Sequence, residues 1–534
     1  MSDAFKILNN SDRPRSETQW PAAIQGKRGP ALWRMIEEII DDPAVRERLG
    51  RDLPRDEGYL DPVSRRKFLQ LSAVTLAIAG VTGCTKQPLE PIVPYVRQPE
   101  GMTLGKPLFF ATAFPLSGIL RPVLVRSNEG RPTKLEGNPQ HPASLGGTSL
   151  FTQASLYDLY DPDRSQTIEY LGDVRAWSGF LGAMRGQVNA QKAIGGAGIR
   201  LLTGATTSPS LAAQVNALKK NFPQMKWHVY EPLNRDMAKQ GAQQALGQIV
   251  DTRYDIAAAD VIVSLDANFL NGEFPGFERY ARDFAARRKP DVQGREMLRF
   301  YAIETSPTNT GGKADHRIGL KPSDFEQAAQ ALADQVAAAG NIAGHLAGTA
   351  GTFVSAARAD LQNAHGRSIV IPGDHAPASV HALAHQMNAV LGNIGKTVFY
   401  TDSVEANPVV HIDSLRDLVN DLKANKVDLL IISGVNPVFD APADLEFDKW
   451  VGAAKLVVHH GLYQDETSAH AHWHVNAAHY LESWSDGRAY DSTVSIIQPL
   501  IAPFYAGKTE HELLAAFSDN PDQSAYEIIR AFWQ

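Results

Sequence analysis

The sequence of 534 residues is poor in cysteine. Cys84 is the single one, so a disulfide framework within the chain is impossible. A [4Fe–4S] cluster, which takes four thiolate ligands, is excluded for the same reason. The sequence also lacks any run of about 20 consecutive apolar residues, the length that a membrane-spanning helix requires.

Positive charge is in short supply as well. The chain has 52 lysines and arginines against 59 aspartates and glutamates, which gives a net charge of −7. Nucleic-acid binding proteins present a basic face, so no nucleic-acid partner is expected. With 43% hydrophobic and 21% charged residues, the composition is that of a globular chain long enough for several domains.

An export motif lies well inside the chain. Residues 64–70 read S-R-R-K-F-L-Q, which matches the twin-arginine signature S-R-R-x-F-L-K in all but its last position. The residues that define the match are Arg65, Arg66, Phe68 and Leu69. The motif predicts export by the twin-arginine route to the periplasmic side of the cytoplasmic membrane. The alternative is an amphipathic segment with a chance pair of arginines.

The residues after this motif complete the pattern of a signal peptide. Residues 71–80 are moderately apolar and too short to span a membrane comfortably, which suits the hydrophobic region of a signal. Residues 81–84 read V-T-G-C and resemble a lipobox, which makes Cys84 the candidate for lipidation. A single acyl chain binds membranes only marginally, so stable anchoring would need further lipid or a membrane partner.

The sequence patterns divide the chain into five predicted segments. They are an N-terminal extension (1–60), the signal with its lipobox-like end (61–84), an N-terminal subdomain with a linker (85–165), an α/β domain (166–345) and a second α/β region (346–534). From residue 199 onward, short apolar runs alternate with helical patterns. The apolar runs, which we predict to be strands, include residues 199–203, 261–265 and 368–371, and the predicted helices include residues 211–218 and 415–422. This alternation predicts an α/β fold with parallel, doubly wound sheets in two or three subdomains.

Small or polar turns follow the predicted strands. They occupy residues 204–207, 266–268, 304–306, 372–374 and 433–437. Ligands of doubly wound sheets bind at such carboxyl ends. The alternative is that these are ordinary turns between strands and helices, since no G-x-G-x-x-G motif or phosphate-loop lysine stands at a strand end.

A series of motifs occurs in a fixed order between residues 137 and 482. Residues 137–142 read G-N-P-Q-H-P, and residues 159–164 read L-Y-D-P-D-R; further motifs lie at 259–268, 304–322, 433–437, 465–469 and 481–482. Their order is similar to that of the molybdopterin oxidoreductase superfamily, over roughly residues 100–534. The resemblance implies a molybdopterin oxidoreductase-like fold.

The departures from that superfamily concern its cofactors. The superfamily has cysteines within the stretches that correspond to residues 95–114 and 143–153, and this chain has none there. No cysteine is available as a molybdenum ligand, and no particular Ser or Asp aligns with that role. The chain also ends where the superfamily's C-terminal cofactor-binding barrel would begin, so a split or truncated subunit is expected. We therefore predict no bound cofactor: no iron–sulfur cluster and no molybdenum.

One family combines all these features. Residues 83–90, 92–98 and 472–484, together with the delayed export signal, resemble the B subunit of alternative complex III, a quinol-oxidising membrane complex. The resemblance implies a non-catalytic, cofactor-free subunit that scaffolds an iron–sulfur (ferredoxin-like) subunit or domain. Multihaem cytochrome c and integral membrane quinol-binding subunits are the other implied partners. Two alternatives stay open: an active molybdopterin-dependent oxidoreductase subunit, and a stand-alone exported lipoprotein that acts as a binding module.

Two groups of side chains are candidates for chemistry. His470, His472 and His474 alternate, so a strand would place them on one face, where they could bind zinc; the alternative is a hydrogen-bonding histidine strip. Acidic residues at predicted strand ends could act as acids or bases; the alternative is that they cap turns and helices. These acids are Asp266, Glu304 and Asp374. We predict the structural alternative for both groups: the histidines form hydrogen bonds and the acids cap turns and helices. No catalytic and no metal-binding residue is predicted.

Overall fold

The computed structural model describes residues 102–103, 105–271, 274–290, 296–337 and 348–534. The predicted N-terminal extension and export signal lie outside these residues. The same is true of Arg65, Arg66, Phe68, Leu69 and Cys84. Their predicted roles stay predictions.

The strands of the described chain are mostly four to six residues long. In chain order they are β1 Leu108–Leu116, β2 Ile119–Asn128, β3 Arg131–Gly137, β4 Ile168–Tyr170, β5 Asp173–Arg175, β6 Ile199–Thr203, β7 Lys226–Val229, β8 Asp251–Tyr254, β9 Val261–Leu265, β10 Arg299–Glu304, β11 His316–Gly319, β12 Ser368–Pro372, β13 Val398–Thr401, β14 Leu429–Ser433, β15 Leu456–Gly461, β16 Trp473–Asn476, β17 Ser485–Arg488 and β18 Val494–Ile497.

Helices alternate with these strands over much of the chain. They are α1 Leu150–Tyr160, α2 Trp177–Lys192, α3 Pro209–Asn221, α4 Asp236–Leu246, α5 Phe277–Arg287, α6 Pro322–Ala337, α7 Gly348–Asn363, α8 Ala378–Val390, α9 His411–Lys423, α10 Pro437–Asp440, α11 Phe447–Trp450, α12 Glu510–Ala515 and α13 Ala525–Trp533.

The larger of two parallel sheets has seven strands in the order β5-β4-β16-β15-β14-β6-β7. The five strands from β16 to β7 run parallel. At one edge β4 pairs antiparallel with β16, and β5 pairs antiparallel with β4. Strands β6 and β14 are buried along their whole length. They are rich in apolar residues because helices cover both faces of a parallel sheet.

Successive side chains of these strands enter two different cores. Leu201 packs with Phe180 of α2 and Leu211 of α3 on one face, whereas Leu202 packs with Leu415 of α9 on the other. Neighbouring residues of a strand point to opposite faces. The sheet is therefore doubly wound.

A second parallel sheet has four strands in the order β11-β10-β9-β12. Val263 of β9 lies opposite Tyr301 of β10 on one side and Val370 of β12 on the other. Helices α6, α7 and α8 supply the core on one face, and α5 supplies the core on the opposite face. The remaining strands form the antiparallel sheets β1-β2-β3, β13-β8 and β17-β18.

The predicted fold class is confirmed: the chain is α/β with parallel sheets. Strands predicted at residues 199–203 and 261–265 are β6 and β9. The antiparallel sheet β1-β2-β3 was not predicted. The domain boundaries stay a prediction, although the seven-stranded sheet takes strands from both sides of residue 345. No helix in the described part of the chain has both the length and the apolar character that crossing a membrane requires.

Candidate functional site

A cavity of about 670 Å³ lies at the carboxyl edge of the seven-stranded sheet. The loops that follow β6, β14, β15 and β16 line it, and the turn between β1 and β2 forms another wall. Two of the five turns predicted at strand ends, at residues 204–207 and 433–437, contribute to this lining. The cavity occupies the position where doubly wound sheets bind ligands.

The charged lining of the cavity is acidic. Among the described residues, no lysine or arginine lines it. Five carboxyl groups and four imidazoles do: Asp158, Glu231, Asp465, Asp486 and Glu510, with His459, His460, His479 and His511. The cavity therefore presents hydrogen-bond acceptors and ionisable carboxyl groups, with no lysine or arginine among the described residues that line it.

Asp486 is a cavity carboxylate with three protein donors. It accepts hydrogen bonds from the hydroxyl groups of Ser208 and Ser210 and from the indole N–H of Trp533. The Ser210 bond is 2.7 Å long, and so is the Trp533 bond. This residue ties α3 and α13 to β17 and has a structural role.

Glu231 has fewer partners. Its Oε1 accepts one hydrogen bond, 2.9 Å long, from the backbone N–H of Ala205. Burial raises the pKa of Glu231 to about 7, because a carboxylate loses hydration in such a place. A fraction of the molecules therefore carry a proton on Glu231 near neutral pH.

Glu510, the first residue of α12, lies beside a hydrogen-bonded pair formed by His460 and Ser433. Nε2 of His460 lies 2.8 Å from the backbone carbonyl of Lys508, and Nδ1 lies 3.0 Å from Oγ of Ser433. Burial lowers the pKa of His460, so the imidazole is neutral. Because a carbonyl only accepts, Nε2 carries the hydrogen and Nδ1 accepts from the Ser433 hydroxyl.

Burial has the larger effect on the pKa of Glu510 and raises this pKa to about 7, whereas a contact with Ser433 acts to lower it. A fraction of the molecules therefore carry a proton on Glu510 near neutral pH.

His459 offers an unsatisfied nitrogen. Its Nδ1 lies 3.0 Å from Nδ1 of His474, whose Nε2 lies 2.6 Å from Oγ of Ser165. Nε2 of His459 has no hydrogen-bond partner among the described residues; Oδ1 of Asp465 is 3.5 Å away without hydrogen-bond alignment. Burial, with His474 and His460 nearby, lowers the pKa of His459 to about 3. The ring is neutral and 1% exposed.

The three alternating histidines do not lie together on one strand. Strand β16 begins at Trp473, and His470 lies in the preceding 3-10 turn, Ser468–His470. Nδ1 of His472 accepts a hydrogen bond of 3.1 Å from the backbone N–H of Val457. The three rings therefore do not share a strand face, and the hydrogen-bonding alternative describes His472 and His474.

Within the described chain, one group of side chains has metal-like spacing. Ligand atoms of His228, Asp417 and Asp421 lie within 4.8 Å of one another. Nζ of Lys226 already lies 2.9 Å from Asp417 and 2.6 Å from Asp421, and Arg200 also pairs with Asp421. These two cations neutralise the carboxylates, so the group is an ion-pair network.

The acidic residues predicted at the ends of β9, β10 and β12 are bound to neighbours. Asp266 accepts hydrogen bonds from Thr305 and lies 3.0 Å from Nε2 of His375. The other two acids form ion pairs: Glu304 with Arg317 at 2.6 Å, and Asp374 with Arg235 at 2.8 Å. Each of the three thus holds a turn or joins two elements.

Motif residues far apart in the sequence meet in pairs. Nη2 of Arg164 donates to Oε2 of Glu482 at 2.7 Å, and the two side chains are 1% and 0% exposed. Asn436 accepts from the Thr467 hydroxyl at 2.7 Å. In the four-stranded sheet Thr310 donates to Oδ1 of Asn268 at 2.6 Å. These motifs therefore fix the architecture of the fold.

The G-N-P-Q-H-P motif forms a tight turn after β3. The side chain of Asn138 accepts a hydrogen bond of 3.0 Å from the backbone N–H of Gln140. A Cβ atom at Gly137 would lie 2.3 Å from the carbonyl oxygen of Gly146, so only glycine fits there. The motif thus packs against residues 143–153, the stretch that lacks the superfamily's cysteine.

The fold is molybdopterin oxidoreductase-like, as comparison with solved structures shows. Acetylene hydratase from Pelobacter acetylenicus, a molybdopterin enzyme, matches with a TM-score of 0.55. The match covers 77% of this chain and 69% of that chain, at 11% sequence identity. No protein-family profile and no curated protein sequence matches the chain. At this identity the structural likeness describes the fold alone.

The cavity does not suit the cofactor of that class. Molybdopterin is a phosphorylated pterin and is therefore anionic. The cavity presents carboxyl groups and, in the described chain, no lysine or arginine, whereas phosphate sites use basic side chains or convergent backbone N–H groups. The described residues also contain no cysteine for a metal bond.

Proposed function

We propose that this chain is a non-catalytic, cofactor-free subunit of a membrane quinol-oxidising respiratory complex, alternative complex III, and scaffolds an iron–sulfur electron-transfer partner. One observation carries the proposal. The cavity at the carboxyl edge of the seven-stranded sheet is lined by five carboxyl groups and, within the described chain, by no basic side chain. An anionic pterin would meet repulsion there.

Two further observations support a scaffold. The single cysteine of the chain cannot hold an iron–sulfur cluster, so an electron carrier would have to come from a partner. Internal ties such as the buried pair of Arg164 and Glu482 join distant segments. The fold can thus be held by its own side chains instead of by a bound cofactor.

Helix α1 has exposed apolar side chains that support partner docking near residues 143–153. Leu150 and Tyr157 lie on this helix and are 79% and 78% exposed. The helix begins directly after Ser149, its N-cap, within the stretch that lacks the superfamily's cysteine. Large apolar side chains that are this exposed are typical of protein contacts when they cluster. We propose this face for the iron–sulfur partner.

The test is gentle solubilisation of membranes followed by separation of intact complexes and metal analysis. We expect the chain to migrate with haem and iron–sulfur subunits, and the isolated chain to contain no stoichiometric molybdenum, tungsten or iron. About one molybdenum per chain would restore the enzyme alternative. Migration of the chain alone would instead favour the lipoprotein binding module.

A second experiment addresses export. We propose that Arg65 and Arg66 direct twin-arginine export, so the double variant Arg65→Lys, Arg66→Lys should stay in the cytoplasm, since the export receptor reads this address specifically. Cys84→Ser is the matched variant for lipid attachment and should leave export intact. Normal periplasmic amounts of the double-lysine variant would contradict the signal interpretation.

A further inference from the structure

We infer that the cavity at the carboxyl edge of the seven-stranded sheet binds an organic cation, a ligand whose ammonium or guanidinium groups pair with Glu231, Asp465 and Glu510. Nothing in the proposed scaffold role requires such a ligand, so the inference goes beyond it. The charge, the geometry and the volume of the cavity all favour such a ligand.

The first step concerns charge. Glu231, Asp465 and Glu510 reach the cavity from three different elements, after β7, after β15 and at the start of α12. No described lysine or arginine forms an ion pair with any of the three. A desolvated carboxylate without a cation is unfavourable. A bound cation would remove this penalty, whereas an anion would increase it.

The second step is independent of the carboxyl groups. Nε2 of His459 is buried, lines the cavity and has no hydrogen-bond partner among the described residues. Unsatisfied buried polar atoms are rare in folded proteins and call for a partner. When Nδ1 of His459 donates to His474, Nε2 presents a lone pair 3.5 Å from Oδ1 of Asp465. A ligand N–H group can donate to this lone pair, and its positive charge can pair with the carboxylate.

The spacing of the carboxyl groups favours an organic cation over a bare metal ion. Metal ions need several ligand atoms around one point. In the described chain the residues with such spacing are His228, Asp417 and Asp421, and none of them lines this cavity. The acidic groups of the cavity are spread over separate walls. A ligand with spaced N–H donors can reach several of them, and about 670 Å³ is the size of a small-molecule site.

The same chemistry could come from a free polyamine or from a basic side chain of a partner protein. The test is calorimetric titration of the purified full chain with spermidine, with an uncharged-ended lysine peptide and with inorganic phosphate. We expect at least one of the two amines to bind and phosphate not to bind. Binding of spermidine alone identifies a free amine, and binding of the peptide alone identifies a partner side chain.

Variants decide whether binding occurs in this cavity. The double variant Glu231→Gln, Glu510→Gln should weaken amine binding at least tenfold and keep the wild-type melting temperature or exceed it. Glu136→Gln, which changes an exposed carboxylate paired with Lys134, should bind as the wild type does. Absence of amine binding, phosphate binding of equal strength, or an unaffected double variant would overturn the inference. Metal content and co-purification test the scaffold role separately.

Discussion

The two parallel sheets differ in what their carboxyl edges do with acidic side chains. At the four-stranded sheet, Asp266, Glu304 and Asp374 are paired with His375, Arg317 and Arg235. At the seven-stranded sheet, Glu231 and Glu510 face a cavity and carry raised pKa values.

Both edges arise from the same strand–turn–helix pattern, so the pattern does not determine whether the acidic side chains at an edge find partners. At the edge of the four-stranded sheet, the acidic and basic side chains pair with one another. The second edge keeps acidic groups and an unsatisfied imidazole exposed to a cavity. A ligand site therefore depends on the unpaired edge, and the following predictions test this difference.

The largest expected effect is acid destabilisation at the cavity edge. Burial lowers the pKa of His459 to about 3 and those of His474, His479 and His511 to about 4. Their stabilisation is complete above the unfolded pKa near 6.5 and is lost as pH falls toward 4. Each pKa unit corresponds to about 1.4 kcal/mol.

Glu231 and Glu510 oppose this trend, because a raised folded pKa makes stability increase as pH falls through 7. Four imidazoles outweigh two carboxyl groups. We expect urea unfolding at pH 4.5 to show a free energy at least about 3 kcal/mol lower than at pH 7.5. Hydrogen exchange should increase first in β15 and β16. Equal stability at the two pH values would contradict the buried, neutral state of these rings.

Breaking the buried ion pair comes next. Arg164→Ala leaves the fully buried carboxylate of Glu482 without its cation, which should lower the free energy of unfolding by about 3–5 kcal/mol. Arg317→Ala is the matched change at the other sheet. The side chain of Arg317 is 39% exposed, so water can reach the pair and the loss should be about 1–2 kcal/mol. Denaturant titration measures both, and losses of equal size would remove the contrast.

Neutralising one glutamate at each sheet edge should change the stability of the protein in opposite directions. Glu304→Gln removes the charge that pairs with Arg317 and should destabilise the chain by about 1–3 kcal/mol. Glu231→Gln removes a carboxyl group that is costly to ionise. It should stabilise the protein by up to about 1 kcal/mol at pH 8 and have no effect at pH 5. Melting temperatures at both pH values test this, and the same sign at both edges would contradict the comparison.

The smallest effect is expected at Asp266. Its φ of 57° lies in the left-handed region, which asparagine adopts as readily as aspartate. Asp266→Asn therefore changes the charge facing His375 without a backbone penalty, and the expected loss is about 1 kcal/mol. Thermal unfolding is the measurement. A loss above about 3 kcal/mol would mean that this carboxylate holds more than the turn it caps.

Local patterns predicted the elements well. Residues 199–203, 261–265 and 368–371 have apolar runs that suit buried parallel strands, and they are strands. The predicted helix at residues 415–422 lies within α9, which begins four residues earlier and ends one residue later. The histidine alternation at residues 470–474 was less informative, because a 3-10 turn ends at His470 and breaks the strand period.

The candidate site was predicted only in part. Turns at residues 204–207 and 433–437 gave a usable signal, since glycine and small polar residues follow apolar runs there. Glu231, Asp465 and Glu510 gave none, because an acidic residue in a loop is ordinary in any sequence. The order of the motifs indicated the superfamily fold, but the pairing of Arg164 with Glu482 could not be derived from two motifs more than 300 residues apart.

The sequence by itself determined the alternation of strands and helices and the lack of thiolate ligands, because both are set by residue type and by neighbours within a few positions. The tertiary structure decided which strands share a sheet and which strand ends keep their charges unpaired. Those outcomes depend on distances between segments far apart in the chain. A carboxylate paired with arginine and one facing a cavity are the same residue type, and only the fold makes them different.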